Sequence, residues 1–304
     1  MSELALTRAR RQLGKSGIEV SSLAWGMWRL TETCESASDV VALSNTVLNA
    51  GITFFDTADI YGFNGTDGFG DAEALFGKAL AEDTSLRGRI VLASKGGIMP
   101  PLPYDQSREY MDSALNASLT RLGVEQIDLY QIHRPDILTH PQELAGFLES
   151  AIASGKVRAI GVSNFTPAQI TTLSRFLDTP LATTQPEISP LRIDPFDNGE
   201  LDQAIRMGLT PMAWSPLGGG RLMRPESERE HAVARALGAV ADAKGIDRAV
   251  AAYSWLMAHP AGIIPIIGSQ NATRIAEATE ALQVQWSRAE WYSVFAASRG
   301  APLP

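Results

Sequence analysis

Eight short apolar runs alternate with helical patterns along almost the whole chain, and this alternation constrains the fold more than any other feature. The runs are nearly continuous in apolar and β-branched residues, which is typical of strands buried on both faces of a parallel sheet. We predict strands at 22–26, 52–56, 90–95, 127–133, 157–162, 182–187, 209–215 and 263–268. Eight units in 304 residues give about 38 residues each, a spacing that fits a (β/α)8 barrel of the α/β class. A doubly wound open sheet is the alternative, because strand number alone does not show closure.

The segments between the runs carry helix-start signals. Thr166 is predicted to cap one helix, and Asn271 another that continues through Leu282. Ser287 and Glu290 have the spacing of a capping box, in which each side chain binds the other residue's backbone N–H. These signals predict helices between the strands and one more after the last strand.

The first residues predict a small β-hairpin ahead of the barrel. The segment 11–20 turns at its glycines and could close the barrel floor. We place the barrel at about 22–283 and a C-terminal helix and tail at 287–304. Because no linker or low-complexity stretch interrupts the chain, we expect a single domain over 1–304.

Charge and cysteine content exclude several classes of protein. With 26 Lys and Arg against 34 Asp and Glu, the net charge is −8, which argues against nucleic-acid binding. Cys34 is the single cysteine, so an internal disulfide is excluded and a reducing compartment is favoured. The N-terminus has no apolar core of a secretory signal, and prolines interrupt the apolar stretch 253–267. We expect a cytoplasmic protein that acts on small molecules, without a membrane partner, and leave its oligomeric state open.

Four reactive side chains stand at the ends of three successive predicted strands. Asp56, Lys95 and His133 end these strands, and Tyr61 follows Asp56 closely. Taken singly, each has an ordinary structural explanation: a turn carboxylate, a solvated lysine, a buried histidine and a rim aromatic. In a barrel, however, the carboxyl ends of the strands share one mouth, where catalytic groups collect. The shared position favours a catalytic set.

The chemistry of these four residue types is coherent without a metal. A tyrosine with its ordinary pKa near 10 exchanges protons poorly at neutral pH, and an adjacent lysine ammonium lowers that pKa. Asp56 would keep Lys95 charged, and His133 could donate a hydrogen bond to a carbonyl oxygen. Such a site suits proton transfer at an alcohol or carbonyl oxygen through Tyr61. Since strand ends lack clustered carboxylate and histidine ligands, we expect no metal and disfavour a metal-dependent lyase or hydrolase.

Later strand ends could hold a hydride carrier. Asn164 and Gln185 offer amides that match a carboxamide, and Trp214 offers a flat face for an aromatic ring. Backbone in the glycine run 218–220 and at the start of the helix within 268–278 could approach phosphates. No G-x-G-x-x-G follows the first strand, so a Rossmann site is not supported.

Several long motifs resemble those of the aldo-keto reductases and, within that family, the bacterial YdhF-like oxidoreductases. The resemblance runs in order from about residue 11 to residue 282. Its segments are GITFFDTADIYG (51–62), LASKGGI (92–98), DLYQIHRPD (128–136), GKVRAIGVSNFTPAQ (155–169), TQPEISPL (184–191), AWSPLGGGRL (213–222) and IPIIGSQNATRIAEA (264–278).

The resemblance implies a role for each of the four reactive residues. The family is a (β/α)8 barrel that binds NADP(H) at the C-terminal mouth. Tyr61 matches its general acid/base, Lys95 the residue that tunes it, Asp56 the partner of that lysine, and His133 the residue that orients the carbonyl. The substrate pocket is then expected to include Trp28, Tyr61 and His133.

The resemblance also implies a cofactor site. Ser163, Asn164 and Gln185 match the residues that hold the nicotinamide carboxamide. The full expected set is Gly26, Met27, Trp28, Ser163, Asn164, Gln185, Trp214, Ser215, Pro216, Leu217, Gly218, Gly219, Arg221, Gly268, Ser269, Gln270, Arg274 and Glu277. Gly268 departs from the lysine that many members carry beside the 2′-phosphate, and Ala278 from a common asparagine. Arg274 nevertheless favours NADP(H) over NAD(H).

The sequence therefore predicts an NADPH-dependent reductase of an aldehyde or ketone, with Tyr61 as the general acid. A small-molecule carbonyl compound is the expected partner. A regulatory or sensor protein that binds NADPH with little turnover is the alternative. The glycine-rich segment 62–70, just after Tyr61, is expected to rim or cover the pocket.

Overall fold

The computed structural model describes residues 3–303, and eight parallel strands close into a barrel within them. Two further strands, β1 (Arg10–Gln12) and β2 (Glu19–Ser21), form a separate antiparallel hairpin. The barrel strands are β3 (Ala24–Gly26), β4 (Phe54–Asp56), β5 (Val91–Gly96), β6 (Ile127–Ile132), β7 (Val157–Ser163), β8 (Thr183–Gln185), β9 (Thr210–Ala213) and β10 (Ile264–Ile267). From β3 to β10 each strand pairs with the next, and β10 also pairs with β3. This closure confirms the predicted barrel and excludes the open sheet.

Helices connect the strands and surround the barrel. They are α1 (Leu30–Thr33), α2 (Ala37–Asn49), α3 (Asp71–Glu82), α4 (Arg108–Leu122), α5 (Pro141–Ala153), α6 (Pro167–Ser174), α7 (Asp194–Asp197), α8 (Glu200–Met207), α9 (Glu228–Lys244), α10 (Arg248–Met257), α11 (Ala272–Ala278) and α12 (Arg288–Arg299). The predicted caps at Thr166, Asn271 and Ser287 are present. Leu282, however, lies in a 3-10 turn, Thr279–Gln283, beyond the end of α11. Across residues 3–303, no helix has both the length and the apolarity needed to cross a membrane.

The hairpin β1–β2 packs against one end of the barrel, as predicted for the segment 11–20. Leu13 and Val20 are buried in one cluster with Phe54 and other residues of the barrel interior. Gly14 donates its backbone N–H to Thr210 Oγ1 at 2.8 Å. A Cβ on Gly14 would lie 2.4 Å from a backbone oxygen of Ala182, so the turn can approach β8 only with glycine. The hairpin thus covers the floor and leaves the opposite end as the mouth.

An aromatic cluster attaches the C-terminal helix α12 to the outside of the barrel. Trp255 on α10 and Trp291 on α12 stack with ring centroids 4.8 Å apart. Each indole N–H donates to the other residue's backbone carbonyl at 3.0 Å. Phe196 and Phe295 pack against the same pair. Because both indole N–H groups are satisfied, the cluster buries two tryptophans without an unpaired donor.

Candidate active site at the mouth of the barrel

The side chains of Asp56, Lys95 and Tyr61 meet where β4 and β5 end. Lys95 is fully buried and Asp56 is 2% exposed. The Lys95 Nζ donates to Asp56 Oδ2 at 2.7 Å, to the carbonyl of Thr57 at 2.8 Å and to Tyr61 Oη at 3.2 Å. The strands are parallel neighbours, so their carboxyl ends present these residues at one edge. The ammonium therefore bridges a carboxylate and a phenol.

Backbone contacts fix the loop that carries Tyr61. The N–H of Asp59 donates to the carbonyl of Lys95 at 3.0 Å, and the N–H of Tyr61 donates to the carbonyl of Ala58 at 3.1 Å. Gly62 has φ +99°, and a Cβ there would lie 2.9 Å from the carbonyl oxygen of Gly68. The glycine-rich segment 62–70 can therefore fold back closely on itself immediately after Tyr61. Backbone contacts therefore hold the chain on both sides of Tyr61.

Burial and charge act in opposite directions on this trio. Burial raises the pKa of Tyr61, and the neighbouring Lys95 lowers it, but the net direction is upward from the ordinary value. The sequence indicates the effect of Lys95 but not the larger effect of desolvation. Burial is the largest single influence on Lys95 and lowers its pKa, but the attractions and hydrogen bonds of Asp56 and Tyr61 together outweigh burial and raise that pKa overall. The lysine thus stays charged, and the tyrosine stays protonated at neutral pH.

His133 follows β6 and lies next to Tyr61, with ring centroids 5.9 Å apart. Burial lowers its pKa well below the ordinary value, and the charges of Lys95 and Arg134 lower it further. The imidazole is therefore neutral. Its Nδ1 is buried and has no hydrogen-bond partner within the described part of the chain. A neutral imidazole retains one N–H, which can donate to an oxygen placed at the mouth.

Four of the residues predicted to contact the cofactor form one hydrogen-bonded group beside His133. Asn164 donates from Nδ2 to the carbonyl of His133 at 3.2 Å and to Ser163 Oγ at 2.9 Å. Its Oδ1 accepts from Trp214 Nε1 at 2.9 Å, and Ser163 Oγ donates to the carbonyl of Gln185 at 2.8 Å. Asn164 holds a left-handed φ of +61°, unusual for a residue other than glycine. The ends of β7, β8 and β9 are thus joined by side chains.

The glycine run 218–220 forms a tight 3-10 turn after this group. A Cβ on Gly219 or Gly220 would meet no atom within 4 Å, so the space beside this backbone is open. Arg221, which follows the run, already has partners in the protein. It donates from Nε to the carbonyl of Gly218 at 2.8 Å and from Nη1 to Glu230 Oε1 at 3.3 Å. A carboxylate therefore already neutralises part of its charge.

The start of α11 lies against the end of β3. Gln270 donates from Nε2 to the carbonyl of Gly26 at 2.9 Å, and Trp25 Nε1 donates to the carbonyl of Ser269 at 3.2 Å. The space beside Gly268 is open. Arg274 is exposed, and its guanidinium forms no ion pair within residues 3–303. This edge of the mouth therefore offers an unpaired cation next to open backbone.

The remaining predicted contacts divide by burial. Trp28 is 55% exposed and its ring meets that of Tyr61 edge-on at 5.0 Å, so it forms part of the rim. Met27 lies fully within the hydrophobic core. The other exposed or half-buried members are Asn164, Trp214, Ser215, Leu217, Gly219, Arg221, Gly268, Ser269, Gln270, Arg274 and Glu277. The other buried members are Gly26, Ser163, Gln185, Pro216 and Gly218.

Sequence reasoning missed two residues beside the site. Gln131 is fully buried, with its Nε2 3.5 Å from Asp56 Oδ1. It lies two positions before His133, and the alternation of β6 could have identified it. Arg134 places its guanidinium 5.9 Å from the ring centroid of Trp214 and follows His133 directly. Both residues belong to the motif DLYQIHRPD (128–136), of which the sequence indicated only His133 as a site residue.

Metal ligands do not collect in the described part of the chain. Over residues 3–303, no three His, Cys, Asp or Glu side chains stand together in a way that could hold a metal ion. The Asp56 carboxylate is instead engaged with lysine and amide donors. It receives Lys95 on one oxygen and Gln185 on the other, at 2.7 and 3.1 Å.

Comparison with known proteins agrees with the barrel fold. The profile of the Aldo/keto reductase family matches residues 22–298. A 6-dehydroglucose reductase of Novosphingobium aromaticivorans is 64% identical over 304 residues, covering 100% of both chains. The oxidoreductase YdhF of Escherichia coli is 36% identical, covering 97% of this chain and 99% of its own. The crystal structure of the thermostable aldo-keto reductase Tm1743, in complex with the inhibitor epalrestat, has a TM-score of 0.82 and 25% identity. That match covers 95% of this chain and 100% of the other. The chain therefore belongs to the aldo/keto reductase family.

Proposed function

We propose that this protein reduces an aldehyde to an alcohol, with NADPH as the hydride donor and Tyr61 as the general acid. The observation that carries the proposal is the buried chain from Asp56 through Lys95 to Tyr61, with distances of 2.7 and 3.2 Å. This chain lies at the mouth of the barrel, beside a neutral histidine. It is an arrangement for moving a proton to an oxygen without a nucleophile or a metal.

The protonation states favour reduction at neutral pH. A general acid must carry its proton before the reaction, and the raised pKa of Tyr61 keeps the phenol protonated. As the proton leaves, the Lys95 ammonium stabilises the phenolate that forms, and Asp56 keeps that ammonium charged. His133 donates its imidazole N–H to the carbonyl oxygen and orients it toward Tyr61.

The residues around the mouth fit a nicotinamide cofactor. NADPH, when bound, supplies the hydride. The amide nitrogens of Asn164 and Gln185 are already paired, so their amide oxygens would accept hydrogen bonds from its carboxamide, and Trp214 would stack on its ring. The open backbone at 218–220 gives its phosphates room to approach. Arg274 is the unpaired cation that would favour a 2′-phosphate, and so NADPH over NADH.

The substrate that we propose is a sugar aldehyde of the 6-dehydroglucose type. The support is the 64% identity over the whole chain to a protein named 6-dehydroglucose reductase. The mouth suits such a molecule, since Trp28 offers a flat exposed ring and Arg134 offers guanidinium N–H donors near Trp214. A substrate that carries hydroxyl groups can use both, whereas an apolar aldehyde can use only the ring.

The test begins with the wild-type protein. NADPH and NADH are titrated by nicotinamide fluorescence, and oxidation is then followed with 6-dehydroglucose, glyceraldehyde and propanal. We expect tighter NADPH binding and the highest kcat/KM for 6-dehydroglucose. Binding without turnover of any aldehyde would favour the sensor alternative, and no binding of either nucleotide would reject the proposal.

A tyrosine variant tests the acid. Tyr61→Phe should lower kcat by about 10²–10⁴-fold, the usual contribution of proton transfer, and leave NADPH binding unchanged. Tyr292→Phe makes the same change on the exposed surface of α12 and serves as the matched control. Equal activity of the two variants would show that Tyr61 is not the acid.

A further inference from the structure

A row of residues crosses the barrel interior beside Asp56 and is not explained by the roles above. Lys95, Gln131, Gly161 and Thr183 stand opposite one another in the registers of β5, β6, β7 and β8. Residues paired in register share one face of the sheet, and here that face is the interior. We call these four residues the polar row. The side chains of Lys95, Gln131 and Thr183 are completely buried.

The polar row reaches the Asp56 carboxylate from two sides. Thr183 Oγ1 donates to Gln131 Oε1 at 2.9 Å, and Gln131 Nε2 then faces Asp56 Oδ1 at 3.5 Å. Gln185 Nε2 reaches the same oxygen at 3.1 Å. The other oxygen, Oδ2, accepts from Lys95 Nζ at 2.7 Å. Amide donors and the ammonium therefore fix the orientation of the carboxylate.

Gly161 makes the contact between Thr183 and Gln131 possible. It stands between them in the register, and it is a glycine within a regular strand. A Cβ at this position would lie 2.0 Å from Thr183 Oγ1 and 3.2 Å from Gln131 Cγ. A side chain there would displace the hydroxyl. Because Gly161 has no side chain, Thr183 on β8 can contact Gln131 on β6 across β7.

We propose that Gln131 is a positioning residue for the reduction: its amide, oriented by Thr183, holds the Asp56 carboxylate so that Lys95 stays directed at Tyr61. An amide has one acceptor end and one donor end. Because Thr183 occupies the acceptor end, the donor end is left for Asp56. The proposal rests on the proposed function, in which Tyr61 is the acid.

The charged groups that face Gln131 are few. Asp56 comes from β4 and Lys95 from β5, and β7 and β8 present only the neutral side chains of the polar row and Gln185. His133 lies just beyond the end of the strand that carries Gln131 and is neutral. A carboxylate introduced at position 131 would therefore act mainly on the pair of Asp56 and Lys95.

Two neighbouring threonines give the first test. Thr183→Val removes the hydroxyl that orients Gln131, with little change in shape. We expect kcat to fall on the order of 10-fold, as for loss of a hydrogen bond in a charged network, with NADPH affinity unchanged. Thr184→Val is the matched control, because Thr184 is the next residue, is buried, and has a hydroxyl without a partner in the described residues. Equal kcat values for the two variants would overturn the proposal.

Variants at Gln131 give a signature that a structural role would not produce. Gln131→Met keeps the size and removes the amide, so kcat should fall with the KM for aldehyde unchanged. Gln131→Glu places a second carboxylate against Asp56, which should hold protons more tightly on Lys95 and Tyr61. The alkaline limb of the pH–kcat profile should then move to higher pH. A profile that stays in place would contradict the proposal.

An unfolding experiment, which needs no catalytic turnover, separates this proposal from the proposed function. The urea midpoint is measured for Gln131→Met alone, Asp56→Asn alone and the double variant. If the amide acts on the carboxylate, Gln131→Met should lower the midpoint in the wild-type background and lower it clearly less in the Asp56→Asn background. Equal lowering in both backgrounds would overturn the role of Gln131, even where wild-type protein reduces no aldehyde and the proposed function itself fails.

Discussion

The buried ion pair of Lys95 and Asp56 should dominate stability at the mouth as well as reactivity. Asp56→Asn removes one charge and keeps the shape, leaving an ammonium with no exposure to solvent. Breaking a buried pair in this way typically destabilises a protein by about 3–5 kcal/mol. Against a total stability of roughly 5–15 kcal/mol, this is a large fraction. We expect a clear decrease in the urea midpoint at pH 7, with little change in the slope of the transition.

The effect should depend on pH with a definite sign. In the wild type, the folded-state pKa of Lys95 is raised above the ordinary 10.5. The pair's contribution is therefore fully present below 10.5 and lost as the pH rises through the folded-state pKa. In the Asp56→Asn variant the attraction of the carboxylate is gone, and burial, the largest remaining influence, lowers the pKa of Lys95. The unfolded variant then binds a proton that the folded variant does not, so the gap to wild type should widen as the pH falls below 10.5.

A double variant separates charge from shape. Asp56→Asn with Lys95→Met leaves no charge at the site, and neutral replacement of a buried pair often restores stability. We expect the double variant to be more stable than Asp56→Asn alone and still to lack turnover. Urea unfolding at about pH 7 and about pH 10 measures the order of stability of the variants and its dependence on pH. A loss below about 1 kcal/mol for the single variant, or a double variant as unstable as the summed singles, would refute the electrostatic reasoning.

Three other sites give separate predictions. Asp59 is fully buried, neither of its carboxyl oxygens has a partner in the described residues, and burial raises its pKa well above the ordinary 3.8. The free energy of unfolding of the wild type therefore decreases as the pH rises from 3.8 through the folded-state pKa. Asp59→Asn lacks this loss, so its stability relative to the wild type should increase across that window. Urea unfolding at about pH 4 and about pH 8 measures the change. Trp291→Phe leaves the carbonyl of Trp255 without its indole donor and should lower the free energy of unfolding by about 1–3 kcal/mol, with unchanged kcat. Gly268→Lys adds a cation in open space near the proposed phosphate site beside Arg274, so the NADPH Kd should fall relative to the NADH Kd in a fluorescence titration.

The barrel could be predicted from the sequence because its signal is local. A strand buried on both faces needs a continuous apolar run, and the run at 127–133 corresponds to β6 at Ile127–Ile132. An apolar run is longer than the observed strand where the backbone can no longer form hydrogen bonds with the neighbouring strand. The run at 182–187 contains Pro186, which has no N–H to donate, and β8 ends one residue earlier at Gln185.

The ionic state of the site could not be predicted in the same way. Placing Lys95 near Tyr61 required only strand order, but the direction of the Tyr61 pKa depends on desolvation, which exists only in the folded protein. Arg221 is a similar case. The sequence shows that it directly follows the glycine run, but only the fold shows that Glu230 from α9 lies 3.3 Å from its guanidinium.

His133 and Gln131 differ in how far strand ends can identify them. Strand ends reveal residues at the mouth, because every parallel strand delivers its last side chain to one edge. Gln131 lies one inward position deeper, and its contacts depend on Thr183 two strands away and on the missing side chain of Gly161. None of the three residues Gln131, Thr183 and Gly161 indicates a function by itself, because each residue type has an ordinary explanation in a strand. They acquire a common meaning only through register, since pairing aligns all three with Lys95. The side chains that we propose to be reactive could therefore be identified from strand ends, whereas those that we propose to orient them required the strand register.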